Sequence, residues 1–205
     1  VLVTKPHVGA RLKRSAMKLA GFTKRRPLGA TGFYLLVSAV VLAAIGPLIV
    51  PFDPWETHRY DALKPPNATF WFGTDALGRD ILSRVIIGAR VSMYVSVVTT
   101  LTATTIGATL GVSSAYIGGK FDLILQRFVD AKTAFPSLLL ALAIMAAFGA
   151  SINNIIIALT VIFSSRGIRV IRSQALSVKE LPYVEAARAA GASNLRIMLR
   201  HILPN

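Results

Sequence analysis

Apolar positions fall into long uncharged runs separated by short charged or turn-rich stretches, which is the pattern of a chain that crosses a membrane several times. Residues 28–50, LGATGFYLLVSAVVLAAIGPLIV, carry no charge, and as a helix they cover about 34 Å, enough for a first span. Pro47, Pro51 and Pro54 mark the end of that run. The stretch 51–90 is rich in turn formers and predicts an ordered surface loop, with Trp55, Phe70, Trp71 and Phe72 at headgroup level. Within it, residues 79–90 place Ile81, Leu82, Val85, Ile86 and Ala89 on one helical face, with Asp80 and Arg84 an i,i+4 pair on another, predicting a short interfacial helix. Residues 91–119 are again uncharged and predict a second span. Gly107 and Gly111 in that run have the spacing that lets another helix approach closely, although two glycines four apart also arise by chance in so Gly- and Ala-rich a helix.

The uncharged run 133–165 is too long for one span, at about 50 Å if helical. Gly149 to Asn154 supply a turn, so spans three and four are expected from near Asp122 to near Arg172. That places Arg127, Asp130 and Lys132, or Arg166 and Arg169, at the cytoplasmic ends of helices, where such residues pair, snorkel or face a polar interior. Arg127 and Asp130 are spaced i,i+3, which fits either a local salt bridge or a role in a pathway or between subunits.

The last stretch is different in kind. In KELPYVEAARAAGASNLRIMLRHILPN, Pro182 suits a first helical turn, Glu185 lies at the positive N-terminal end, and Gly191 is placed to end the helix. Ser193 can cap a second helix in which Leu195, Met198, Leu199 and Ile202 form a stripe, and Pro204 stops it. Ala186, Ala187, Ala189 and Ala190 make a patch of small residues. By physics alone this is an amphipathic helix pair that fits a membrane surface or a docked protein equally.

Composition adds that 54% of residues are hydrophobic and only 16% charged, with mean hydropathy +0.60, too apolar for a soluble domain of 205 residues. Without cysteine there is no thiol chemistry. The net charge of +14 is unevenly placed: residues 1–27 carry eight basic residues and no acid, 51–90 five of each sign, 120–132 three basic and two acidic, and 166–205 seven basic and two acidic. Four spans with the N-terminus cytoplasmic put this excess inside, whereas three spans would export the basic 166–205 segment. The expected order is therefore a basic cytoplasmic tail (1–27), transmembrane helix 1 (28–50, longer than a signal-peptide core and read as an uncleaved anchor), an extracytoplasmic loop (51–90), and a membrane domain (91–205) whose 166–205 segment is cytoplasmic.

Catalytic chemistry finds little support. His7, His58 and His201 are scattered over tail, outer loop and inner segment, so local spacing gives no metal or catalytic site. Asp53, Glu56, Asp61, Asp75 and Asp80 could chelate a cation, but basic residues interleave with them and a structural network is the better reading. Gly119-Lys120 lacks the glycine and the following Ser or Thr of a phosphate loop, and Asn67-Ala68-Thr69 is a chance-level glycosylation triplet.

EAARAAGASNLRIMLRHILPN (185–205) resembles the EAA loop of ABC-transporter permeases, with Glu185, Ala186, Ala187, Gly191, Ile202 and Pro204 at matching spacing. FGTDALGRDILSRVIIGARVSM (72–93) and YIGGKFDLILQRFVDAKTAFPSLLLAL resemble segments of the C-type permease of dipeptide, oligopeptide and nickel importers. The resemblance implies an all-α polytopic membrane protein, a MetI-like permease bundle with about four of an expected six transmembrane helices present and two more beyond Asn205. It further implies coupling to an ATPase through Glu185, Ala186, Ala187, Gly191, Leu195, Met198, Leu199, Ile202 and Pro204. The implied partners are ABC ATPase subunits, a second permease subunit and an extracytoplasmic substrate-binding protein, in membrane lipid and without nucleic acid. No cofactor is expected on this chain; ATP and Mg belong to the ATPase. The competing readings are a truncated inactive permease fragment, a permease for nickel or another solute, and a membrane-anchored basic protein binding anionic lipid or nucleic acid through 166–205.

Overall fold

The computed structural model describes residues 21, 23 and 25–205. The basic tail expected at 1–27, with His7, lies outside the described residues except for its last few positions. The described elements are helices α1 (Pro27–Ile49), α2 (Ile81–Ile117), α3 (Gly119–Ala134), α4 (Ser137–Phe148), α5 (Ile152–Val178), α6 (Pro182–Ala189) and α7 (Asn194–Ile197), the last continuing as a π-turn, Met198–Ile202. Helices α1, α2 and α5 are each long and apolar enough to cross a membrane, and α3 with α4 form a pair bent by 92° that makes a fourth crossing if taken together. The chain divides into two compact units, Val1–Met93 and Tyr94–Asn205.

In the first unit, Pro27 opens α1 at a position where its missing N–H costs nothing. Nearly all of α1 is exposed, and the helix is held by its own hydrogen bonds, as lipid requires. It comes close to α2 at Gly46, where a Cβ would lie 2.8 Å from Ile86 Cγ2.

The loop that follows is ordered by its charged residues. Asp80 caps α2: its Oδ2 accepts from Ser83 N (2.8 Å) and Ser83 Oγ (2.6 Å), and Ser83 Oγ accepts in turn from Phe52 N (3.2 Å). Asp80 therefore does not form the i,i+4 pair expected with Arg84. Arg84 lies 3.7 Å from Asp75, donates to Pro54 O (3.2 Å) and covers the Trp55 ring. Asp75 accepts from Arg79 Nε (2.8 Å) and from the backbone N–H groups of Leu77 and Arg79. The Arg79 guanidinium, with help from those amides and against the opposing effect of burial, lowers the Asp75 carboxyl to about 2. Asp53 accepts from Trp55 N, Asp61 pairs with Lys64, and Glu56 lies 3.6 Å from His58, so these acids serve the loop itself. Phe70 is buried and stacks at 5.1 Å on Phe52, whereas Trp55, Trp71 and Phe72 are exposed. Gly78, at φ +76, could not be another residue, since a Cβ there would stand 1.8 Å from His58 O.

Two expected boundaries move. The interfacial helix at 79–90 and the second span are one helix of 37 residues, because no proline or capping residue interrupts them; its buried residues in the first turns are Ser83 and Ile86, while Val85 is exposed. The uncharged run 133–165 breaks twice. Phe135 precedes Pro136, which disfavours helical backbone, and there α3 turns sharply into α4. The second break is the expected turn: Gly149 (φ +87) ends α4, and Ser151 caps α5 by accepting from Asn154 N (3.1 Å). At 12 residues, or about 18 Å, α4 is no span by itself.

In the second unit, α2 and α5 meet backbone to backbone. A Cβ at Gly107 would lie 3.1 Å from Gly167 Cα, and one at Gly111 would lie 2.9 Å from Ile168 O. Thr102 and Thr160 share a hydrogen bond of 2.8 Å along the same seam. α3 is tied to α5 by its charges. Asp122 accepts from Arg172 (Nε, 2.6 Å) and also from Ser114, Asp130 accepts from Arg169 (2.7 Å), and Lys132 donates to Val161 O and to Ser164 Oγ (3.1 Å). Arg127 is 3.9 Å from Asp130, so the expected local pair is the looser of the two contacts Asp130 makes.

Candidate functional site

The C-terminal helix pair is built from short-range rules. Leu181 is extended and Pro182 opens α6. Gly191, at φ +80, ends it: Gly191 N bonds Arg188 O (3.0 Å) and Ala192 N bonds Ala187 O (3.0 Å), the double closure that a left-handed residue after a helix permits. Ser193 then accepts from Arg196 N (3.4 Å) to start α7.

One face of this pair is fixed to the membrane helices. Val184 and Ile197 are both 0% exposed, and with Ile202 they join Val112 and Ala115 of α2 and Ala175 of α5 in one buried cluster. Polar contacts flank it: Lys179 donates to Ala115 O (3.1 Å), Tyr116 donates to Asn194 Oδ1 (2.7 Å), and the Arg188 guanidinium lies over the Tyr116 ring. Tyr183 OH donates to His201 O (3.1 Å), tying α6 to the π-turn.

The expected stripe of Leu195, Met198, Leu199 and Ile202 does not stay together. Met198 and Ile202 pack on the cluster, but Leu195 and Leu199 are 61% and 52% exposed. The packed face is instead Ile197, Met198, His201 and Ile202, rotated from the expected stripe, and the helix closes in a π-turn in which Leu203 N bonds Met198 O five residues back (2.9 Å). Which face packs depends on the covering residues of α2 and α5, and Val184, Tyr116 and Lys179 likewise have partners remote in sequence.

The opposite face is open. Glu185, Ala186, Ala189, Ala190 and Gly191 are exposed, Ala187 is half-buried, and Pro204 is exposed beyond the π-turn. The result is a patch with small side chains, one carboxylate at a helix start, and no partner across it among the described residues. Such a surface does no covalent chemistry, but it lets another protein approach closely.

Residues 107–205 match the family of binding-protein-dependent transport system inner membrane components, and residues 23–66 match the N-terminal TM domain of oligopeptide transport permease C. The chain belongs to the binding-protein-dependent transport permeases. The first match takes in the α2–α5 seam from Gly107 onward, the charged ties of α3 and the whole C-terminal pair; the second takes in α1 and the start of the loop after it. Among its relatives are a provisionally named peptide transport system permease protein of Brucella suis biovar 1, 42% identical over 174 residues (85% of this chain, 58% of the relative), and a dipeptide transport system permease protein of Alkalihalophilus pseudofirmus, 38% identical over 182 residues (89% and 60%). A glutathione transport system permease protein of Pectobacterium atrosepticum is 35% identical over 184 residues (89% and 61%). The chain thus spans less than two thirds of the length of these relatives.

Proposed function

We propose that this permease chain is a membrane-spanning subunit of an ATP-driven importer of dipeptides or oligopeptides, with its N-terminus cytoplasmic and with α6 and α7 as the docking element for the ATPase. The observation that carries the reading is the two-sidedness of the helix pair. Val184, Ile197 and Ile202 are buried against the ends of α2 and α5, while Glu185, Ala186 and Gly191 face outward. A push on the outer face is therefore passed to two membrane helices together, because a close-packed contact moves as a body. Closure of an ATPase dimer on ATP and Mg would shift α2 and α5 between two arrangements, which is the coupling that alternating access needs. A second permease subunit and an extracytoplasmic binding protein complete the assembly, as the family description supports. The relatives' names favour peptides over nickel as cargo. The eight basic residues of 1–27 support a cytoplasmic N-terminus.

The test is co-purification of the chain with its cognate ATPase subunit from a detergent-solubilised membrane. Glu185→Lys and Ala186→Glu, both on the exposed face, are expected to abolish recovery of the ATPase without loss of the membrane-inserted chain. Unchanged recovery with both variants overturns the docking assignment.

A further inference from the structure

Three basic side chains tie α3 to α5, and they are not equivalent. Arg172 has Asp122 and Arg169 has Asp130. Among the described residues Lys132 has only neutral partners, the carbonyl of Val161 and the hydroxyl of Ser164. Its partner Ser164 lies about 18 Å along α5 from the nearer helix end, in the middle of a helix long and apolar enough to cross a membrane. An ammonium held there without a counter-charge is costly, and residues of this kind mark ligand pathways.

The surroundings specify what would complete it. Lys132 and Ser165 line a small cavity of about 70 Å³ at the α3–α4 bend, with Thr133 and Ser137 beside apolar Phe135, Leu140 and Ile162. Ser165 is 2% exposed, and its hydroxyl has no hydrogen-bond partner. An ammonium has three donors, of which the two neutral partners take two. One N–H and one O–H therefore remain, beside a single uncompensated positive charge. Lys132 also borders a second cavity of about 530 Å³, lined by apolar side chains including Ile106, Leu110, Phe128 and Ile168. One positive charge with two free donors matches a planar, singly charged, two-oxygen acceptor, and the adjoining apolar cavity matches a hydrocarbon group attached to it.

We propose that Lys132 and Ser165 form a site for the carboxylate of an amphipathic small molecule, whose apolar part occupies the cavity between α2, α3 and α5. The C-terminus of a transported peptide and the headgroup of a fatty acid share this chemistry. The site stands on its own geometry, and only the peptide as its source rests on the importer reading above.

The test is calorimetric titration of the 205-residue chain in maltoside micelles, with blank micelles as reference. The probes are leucyl-leucine, its C-terminal amide, and hexanoate. Leucyl-leucine is expected to bind at least about tenfold more tightly than the amide, the worth of one charge-assisted contact. Lys132→Met should abolish that difference, Lys132→Arg should restore it, and Ser165→Ala should weaken acid binding severalfold. Because the acid and amide are compared on the unaltered chain, the result does not depend on a variant folding. Equal binding of acid and amide, binding of neither carboxylate, or undiminished acid binding by Lys132→Met overturns the site. Hexanoate bound with leucyl-leucine excluded keeps the carboxylate site and overturns the peptide as its source. The importer reading stands or falls separately, on recovery of the ATPase.

Discussion

Gly111→Ala and Gly88→Ala make the same chemical change on the same helix, and they are expected to move stability in opposite directions. At Gly88 an added Cβ meets nothing within 4 Å. The only effect is a lower backbone entropy cost for α2, a gain of about 0.5–1 kcal/mol. At Gly111 the added Cβ would lie 2.9 Å from Ile168 O, 3.1 Å from Arg172 N and 3.1 Å from Ile171 Cβ. Two of these are backbone atoms of α5 and cannot rotate away, so the two helices must move apart along the seam. Overpacking of this kind costs about 1–3 kcal/mol, which exceeds the propensity gain. For a chain of this size each kcal/mol moves the melting temperature by about 2–4 °C. Thermal denaturation in maltoside, followed by circular dichroism, should therefore show Gly111→Ala melting several degrees below the unaltered chain and Gly88→Ala melting at or slightly above it. A Gly111→Ala variant that melts with or above Gly88→Ala would refute the backbone contact between α2 and α5.

Two further outcomes follow from the loop and the helix pair. Asp75 is lowered to about 2 by Arg79, so it contributes stability above the ordinary carboxylate range, and that contribution is lost as pH falls from about 4 through about 2. Tryptophan fluorescence, which reads Trp55 beside Arg84, should report a transition in that window that Asp75→Asn removes, with the variant loop already loosened at neutral pH. In the helix pair, Ile197→Ala should cost about 2–5 kcal/mol as a buried truncation and raise amide hydrogen exchange across 182–202, while Leu199→Ala, at an exposed position, should leave exchange unchanged. Equal exchange in the two variants would restore the stripe of Leu195, Met198, Leu199 and Ile202 as the packed face.

Much of the molecule was legible in the residues because its signals are local. The uncharged run 28–50 reads as α1, the turn at Gly149 to Ser151 follows from its composition, and Pro182, Gly191 and Ser193 act at the positions their backbone preferences dictate. The close approach at Gly107 and Gly111 was open between chance and packing until Gly167 was found opposite. Other features turned on distance. Phe135-Pro136 is a helix break in any sequence, yet only the fold makes it a bend of 92° inside what composition reads as continuous apolar chain.

By itself, then, the sequence determined which stretches are long and apolar enough to enter a membrane, where the short helices begin and end, and where basic charge accumulates, since hydrophobic length, capping and charge bias are properties of neighbouring residues. Tertiary structure alone decided which charge meets which. Asp130 binds Arg169 on α5 more closely than Arg127 nearby, Arg84 turns to Asp75 once Asp80 has capped α2, and Lys132 is left without a carboxylate among the described residues. It also decided which face of the last helix is buried, because only the packed fold brings Val112 and Ala115 of α2 and Ala175 of α5 against Ile197 and Ile202.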